Sequence, residues 1–144
     1  MERRSFIRLC GMGTAAAVTS GLFLPGCAGI PHIQVTAVDG VLRLDKSVFA
    51  IEGKDTFRRS VIVEASGSKA PIVVFRTSDH EHTALQLLCT HKSAELNVAG
   101  DQLTCPAHGS AFSNTGAVLE GPASDPLKRF AITYAGDDIL IALS

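Results

Sequence analysis

Two short segments carry the residues best able to do chemistry: Cys89-Thr90-His91 and Cys105-Pro106-Ala107-His108. Thiolates and imidazoles bind soft and borderline metals, and each segment supplies one of each. If the segments sit on two loops that fold toward each other, two sulfurs and two nitrogens surround one small volume. That is a metal site before it is anything else. Zinc accepts such a donor set, but zinc fingers space their cysteines together and then their histidines, and no recognition helix follows His108. A structural zinc in a β-rich module stays open as an alternative. A [2Fe–2S] cluster takes four protein ligands and accepts two histidines on one of its irons, so one Cys and one His from each of two loops would clasp it.

The remaining cysteines lie upstream, in a stretch that does not read as fold. Met1 to Arg8 is cationic, with Arg3 and Arg4 adjacent, and Leu9 to Leu24 is mildly apolar and diluted by glycine and threonine. A basic start before a short apolar run is an export signal. Arg3, Arg4, Phe6 and Arg8 resemble the twin-arginine pattern. Leu24-Pro25-Gly26-Cys27 resembles a bacterial lipobox, in which Cys27 would be lipidated and become the new N-terminus. The rival reading keeps Leu9 to Ile30 as an uncleaved transmembrane anchor, long enough at about 1.5 Å per residue to cross a hydrocarbon core of roughly 30 Å. Residues 1–26 are therefore expected to be a twin-arginine signal peptide or an N-terminal membrane anchor, 27–32 a lipidated N-terminus and linker, and 33–144 the folded domain. Either way the domain is expected outside the cytoplasm, exported and membrane-tethered on the periplasmic or extracytoplasmic side. Only Cys89 and Cys105 then remain in it. An exported protein would ordinarily pair them as a disulfide, but each precedes a histidine by two or three residues, as ligands do.

Composition narrows the function classes. Apolar residues make up 46% of the 144 and charged ones 19%, enough for a packed core, and the formal net charge is −1. Loss of residues 1–26 removes Arg3, Arg4 and Arg8 against Glu2 alone, leaving a modestly acidic domain. No basic stripe interleaved with aromatics points to nucleic acid. No Ser-His-Asp arrangement, phosphate-cradling glycine loop or mononuclear-iron triad marks a substrate site.

The elements that must position the Cys-His pairs read as short strands. Ile33–Val38 alternates, Asp39-Gly40 is a hairpin-type turn, and Val41–Leu44 resumes. Ser47–Ile51 and Arg59–Glu64 are two further candidates. Ser66–Lys69 is a loop, and Ile72–Arg76 is an apolar run that fits a buried strand. Ala84–Leu88 leads into Cys89. Phe130–Tyr134 and Ile139–Ala142 flank Ala135–Asp138 as a clear hairpin. Strands recur every eight to twelve residues without helical periodicity, which predicts an all-β sandwich or barrel. Asp79-His80-Glu81-His82 holds a His-x-His pair, read as the polar start of a strand and not as a second metal site.

At this point a family resemblance is carried by Cys89-Thr90-His91, by Cys105-Pro106-Ala107-His108-Gly109-Ser110-Ala111-Phe112, and by Gly116 to Ala123 with Pro126-Leu127 after it. These segments resemble a Rieske [2Fe–2S] domain, closely over about Leu85 to Leu127 and loosely in the flanking strands. The resemblance implies an antiparallel three-sheet β-sandwich with a small cluster-binding subdomain. Cys89 and Cys105 would hold one iron, and His91 and His108 the exposed one. A third loop around Gly121-Pro122-Ala123 would cover the cluster, Gly109 would let the backbone approach it, and Pro106 and Pro122 would stiffen the loops.

Departures from the family inform the expected function. The disulfide cysteines of cytochrome bc-type subunits correspond here to Ala94 and Ala107. Ser110 matches the serine that donates to a bridging sulfide in high-potential members, whereas Phe112 stands where those members have a hydrogen-bonding tyrosine. Lys92 replaces the apolar residue that helps bc-type subunits dock at a quinone site. The expected function is a membrane-tethered electron carrier of a respiratory or periplasmic chain, serving a redox partner such as a cytochrome. The alternative is the small subunit of a larger oxidoreductase, quinol-cytochrome c reductase-like or arsenite oxidase-like.

Overall fold

The computed structural model describes residues 29–144. The export motif, the lipobox-like segment and Cys27 lie outside the described residues. Among the described residues eleven strands fall into two sheets, one of seven strands and one of four, where three sheets were expected. The large sheet is ordered β1 (His32–Val35), β3 (Ser60–Ala65), β4 (Ile72–Ser78), β5 (Glu81–Gln86), β10 (Arg129–Ala135), β11 (Asp138–Ala142), β2 (Val41–Asp45). The small sheet is a meander: β6 (Asn97–Ala99), β7 (Gln102–Thr104), β8 (Ala111–Ser113) and β9 (Val118–Glu120). It is inserted between β5 and β10, which remain hydrogen-bonded neighbours across the insertion. Because β10 pairs with both β5 and β11, it joins what would be two sheets into one.

Because side chains alternate along a strand, β3, β4 and β5 serve two cores at once. Ile62, Val73, Phe75, Leu85 and Leu87 face one core, shared with Leu96, Leu103, Phe112, Ala123, Leu127 and both cysteines. Val61, Val63, Ile72, Val74 and Ala84 face the other, closed by Leu42, Leu44, Phe49, Phe130, Ile139 and Ile141. Burial on both faces accounts for the unbroken apolar run in β4, as expected for a strand covered on each side. The first of these cores is the platform that carries the Cys-His loops.

Three elements differ from the sequence reading. Ser47–Ile51 is not a strand: Lys46–Phe49 forms a 3-10 helix, started by the Asp45 carboxylate accepting from the Ser47 amide at 2.8 Å. A side-chain cap at this position satisfies a backbone donor that a strand would have to pair elsewhere, and the helix drops Phe49 into the core. Asp39-Gly40 does turn tightly, with φ of 51° and 75°, and Val38 and Val41 exchange both backbone bonds. The hairpin ends there, because β1 leaves to pair in parallel with β3, the one parallel pairing among the described strands. Finally, β5 begins at Glu81 and takes in His82, which is buried.

Candidate metal centre

Three loops at one end of the small sheet make the site. The first runs from Cys89 to Ala94, between β5 and β6; the second from Cys105 to Ser110, between β7 and β8; the third from Gly121 to Pro126, between β9 and β10. The first two share one backbone construction. The Cys89 carbonyl accepts from Ser93 N at 2.8 Å while Cys89 N donates to the Ala94 carbonyl at 2.8 Å. The Cys105 carbonyl accepts from Gly109 N at 3.0 Å while Cys105 N donates to the Ser110 carbonyl at 2.8 Å. Ser93 and Gly109 both stand in the left-handed region, at φ of 55° and 82°. Each loop is thus a single turn closed around the peptide groups of a cysteine.

The sequence-predicted donors come together as two like pairs. Both thiols are free and buried, each 2% exposed in the apolar core. Burial raises the Cys105 thiol, but amides of His108 and Ala107 and the Cys89 side chain outweigh it, so its pKa lies below the ordinary thiol value. Turn amides aimed at a sulfur favour the thiolate, the form that ligates metal. The two imidazoles meet edge to face, with centroids 4.9 Å apart and planes at 88°. His91 Nδ1 is buried and has no hydrogen-bond partner. A buried nitrogen without a partner is costly in an ordinary core and natural for a ligand.

The donors are divided by kind. Among the described residues no group of three or more Cys, His, Asp or Glu side chains is placed to hold a single metal ion. Two thiols on the core side and two imidazoles on the outer side fit two irons that share inorganic sulfides, each needing only two protein ligands.

The third loop is tied to both others. Ser110, fully buried, accepts from Ala123 N at 3.0 Å through its hydroxyl oxygen, which leaves the hydroxyl proton free to donate. Thr90 Oγ1 donates to the Asp125 carbonyl at 2.7 Å. The Gly121-Pro122 peptide bond is cis, and Pro122 is exposed. Gly109 is held to glycine by its φ; a Cβ there meets no protein atom within 4 Å, so close packing against the chain is not the constraint. Gly116, at the β8–β9 turn, is more tightly held, since a Cβ there would lie 3.0 Å from Leu85 Cδ2. Phe112 is fully buried beneath the second loop, and Lys92 is exposed on the first.

Sequence reasoning missed Thr90 and Ser93. Ser93 had a signal, since it follows Cys89 by the same interval that separates Gly109 from Cys105. Thr90 had none, because its partner is thirty-five residues away. His80 and His82 do not form a second site: His82 lies in the core with Nδ1 3.1 Å from the Tyr134 hydroxyl, whereas His80 is exposed in the preceding turn.

Known proteins resemble this chain in sequence and fold. Residues 46–131 match the Rieske [2Fe-2S] domain. The chain is 31% identical to the cytochrome b6-f complex iron-sulfur subunit of Nostoc punctiforme, over 98% of its own length and 83% of that protein. The crystal structure of the plasma membrane Rieske protein PetC3 from Synechocystis PCC 6803 superposes with a TM-score of 0.51 and 29% identity, over 58% of this chain and 85% of that one. A chain of the complex of reduced oxygenase and oxidized ferredoxin in carbazole 1,9a-dioxygenase superposes with a TM-score of 0.54 and 25% identity, covering 74% and 95%. On these matches the chain belongs to the Rieske [2Fe-2S] domain family as an electron-transfer protein with a single [2Fe-2S] cluster per subunit.

Proposed function

We propose that this chain is a membrane-tethered one-electron carrier on the extracytoplasmic side, with Cys89 and Cys105 ligating the inner iron and His91 and His108 the outer one. The observation that carries the ligand assignment is the division of donors: two buried thiols in an apolar core beside two imidazoles in edge-to-face contact. When bound, the cluster supplies reversible one-electron chemistry. The turn amides around Cys105 lower its thiol pKa and so favour the thiolate. Ser110 keeps a hydroxyl proton free to donate toward a sulfide, which favours the reduced, more negative state. Phe112 supplies no second donor. The potential then falls inside the Rieske range of roughly −150 to +300 mV and away from its upper end.

Export by the twin-arginine route and lipidation of Cys27 complete the reading, supported by Arg3, Arg4 and the Leu24–Cys27 segment. Among the described residues no helix is long and apolar enough to cross a membrane. The cytochrome b6-f relatives favour a larger redox complex as partner, whereas the exposed Lys92 favours a polar docking surface such as that of a cytochrome.

Electron paramagnetic resonance of the reduced full-length protein tests the ligand set. The expected result is a signal with average g below the free-electron value and hyperfine coupling to two imidazole nitrogens, with one coupling lost in His91→Cys and in His108→Cys. Coupling to one nitrogen or none in the unmodified protein overturns the assignment.

A further inference from the structure

Away from the metal centre, a cleft of about 410 Å³ opens between the large sheet and the turns of the small one. Its size lies in the roughly 300–1,000 Å³ range of small-molecule sites. Arg58, Arg59 and Arg76 line it with Phe57, Asp101 and Asn114. Three arginines line one cleft, two of them shared with a neighbouring one, although the described residues carry more carboxylates than basic side chains.

Their placement has an electrostatic cost. Arg76 N donates to the Arg59 carbonyl at 2.8 Å, one step beyond the Ser60–Phe75 pair, so the two arginines are cross-strand neighbours. Like charges directly opposite on adjacent strands repel. Each is relieved by one carboxylate, Arg59 by Asp101 and Arg76 by Asp79. Arg58 donates to the Ala50 carbonyl and pairs with no carboxylate among the described residues. Arg76 is held in place, its side chain 18% exposed and its guanidinium 4.0 Å from the centre of the Phe57 ring. Phe57 itself is 49% exposed, an aromatic wall that the fold leaves open.

We infer that this cleft binds a small multivalent oxyanion, phosphoryl or polycarboxylate, on Arg58, Arg59 and Arg76. Planar guanidiniums match the paired oxygens of either group, and several donors on each arginine remain after its internal bond. Asp101 already occupies part of this position. Its half-exposed carboxylate on Arg59 is an internal competitor that an incoming anion displaces, and Asp101 belongs to the turn that leads through β7 into Cys105.

The test is calorimetric titration of the full-length, cluster-loaded protein with pyrophosphate and, separately, with citrate at low ionic strength. One saturable site is expected for at least one of them, and the preferred probe identifies phosphoryl or carboxylate chemistry. Arg58→Gln should weaken it about tenfold, the scale of one charge-assisted hydrogen bond. Asp101→Asn should tighten it, and Lys69→Gln, in a separate cleft, should leave it unchanged. Arg76→Gln serves as a second binding variant, with the cluster's visible spectrum as the check on folding. The inference is overturned by absence of saturable binding of both probes, by equal weakening in Lys69→Gln, or by no weakening in Arg58→Gln.

Discussion

Ser93 and Gly109 are equivalent residues in two differently spelled loops. Each follows its cysteine by four positions, adopts a left-handed φ, and closes the loop by donating its backbone N–H to the cysteine carbonyl. Only one of them is a glycine. A side chain in the left-handed region costs roughly 1–2 kcal/mol. Gly109→Ala should therefore destabilise the protein by about that amount, whereas Ser93→Gly should be neutral or stabilising by up to about 1 kcal/mol. Urea unfolding of the holoprotein checks both, and equal losses in the two variants would refute the equivalence.

The hydroxyl of Ser110 has two roles that can be separated. Ser110→Ala leaves the buried Ala123 amide without its acceptor, which should cost about 1–3 kcal/mol. It also removes the proton available to a sulfide, so the midpoint in protein-film voltammetry should fall. Thr90→Val breaks only the bond to the Asp125 carbonyl. It should cost about 1 kcal/mol and speed cluster loss to a chelator, with little change in potential.

His82 ties stability to pH. Burial, followed by the charges of Arg76 and Lys46, lowers its pKa from 6.5 to about 4, against weaker opposition from Asp79. Phe49 lies 5.3 Å from the ring and Nε2 is buried without a partner, so the fold accommodates the neutral form. The unfolded chain takes up a proton first as pH falls. Stability is thus full above pH 6.5, declines as pH falls toward about 4, and stays reduced below it, by at most about 3 kcal/mol. Unfolding free energies measured across that window should show this slope, and His82→Phe should flatten it.

Lys92 stands on the first Cys-His loop and is exposed. An ammonium is costly to bury in an apolar pocket, so a polar, oppositely charged docking surface suits it. Lys92→Leu should slow electron transfer to the physiological acceptor several-fold at low salt and converge with the unmodified protein at high salt. Identical rates at every ionic strength would remove Lys92 from the docking surface.

Much of this protein is legible in its residues taken in order. The two Cys-His spacings carry the proposed ligand set, because ligand chemistry depends on residue type and local interval, and the family match supports a [2Fe-2S] cluster over a zinc module. Ile72–Arg76 and the Ala135–Asp138 hairpin are equally readable, since apolar runs and two-residue turns are local. The three-residue strands of the small sheet are too short to show a period and become strands only by pairing with one another. Tertiary structure alone decided the parallel seat of β1, the 3-10 helix that displaced an expected strand, the burial of His82, and the third loop pinned by Thr90 and Ser110. Each of these rests on hydrogen bonds or packing between residues distant in the chain or on a capping bond that outweighs local alternation, and such terms are set only when the sheets close around their cores.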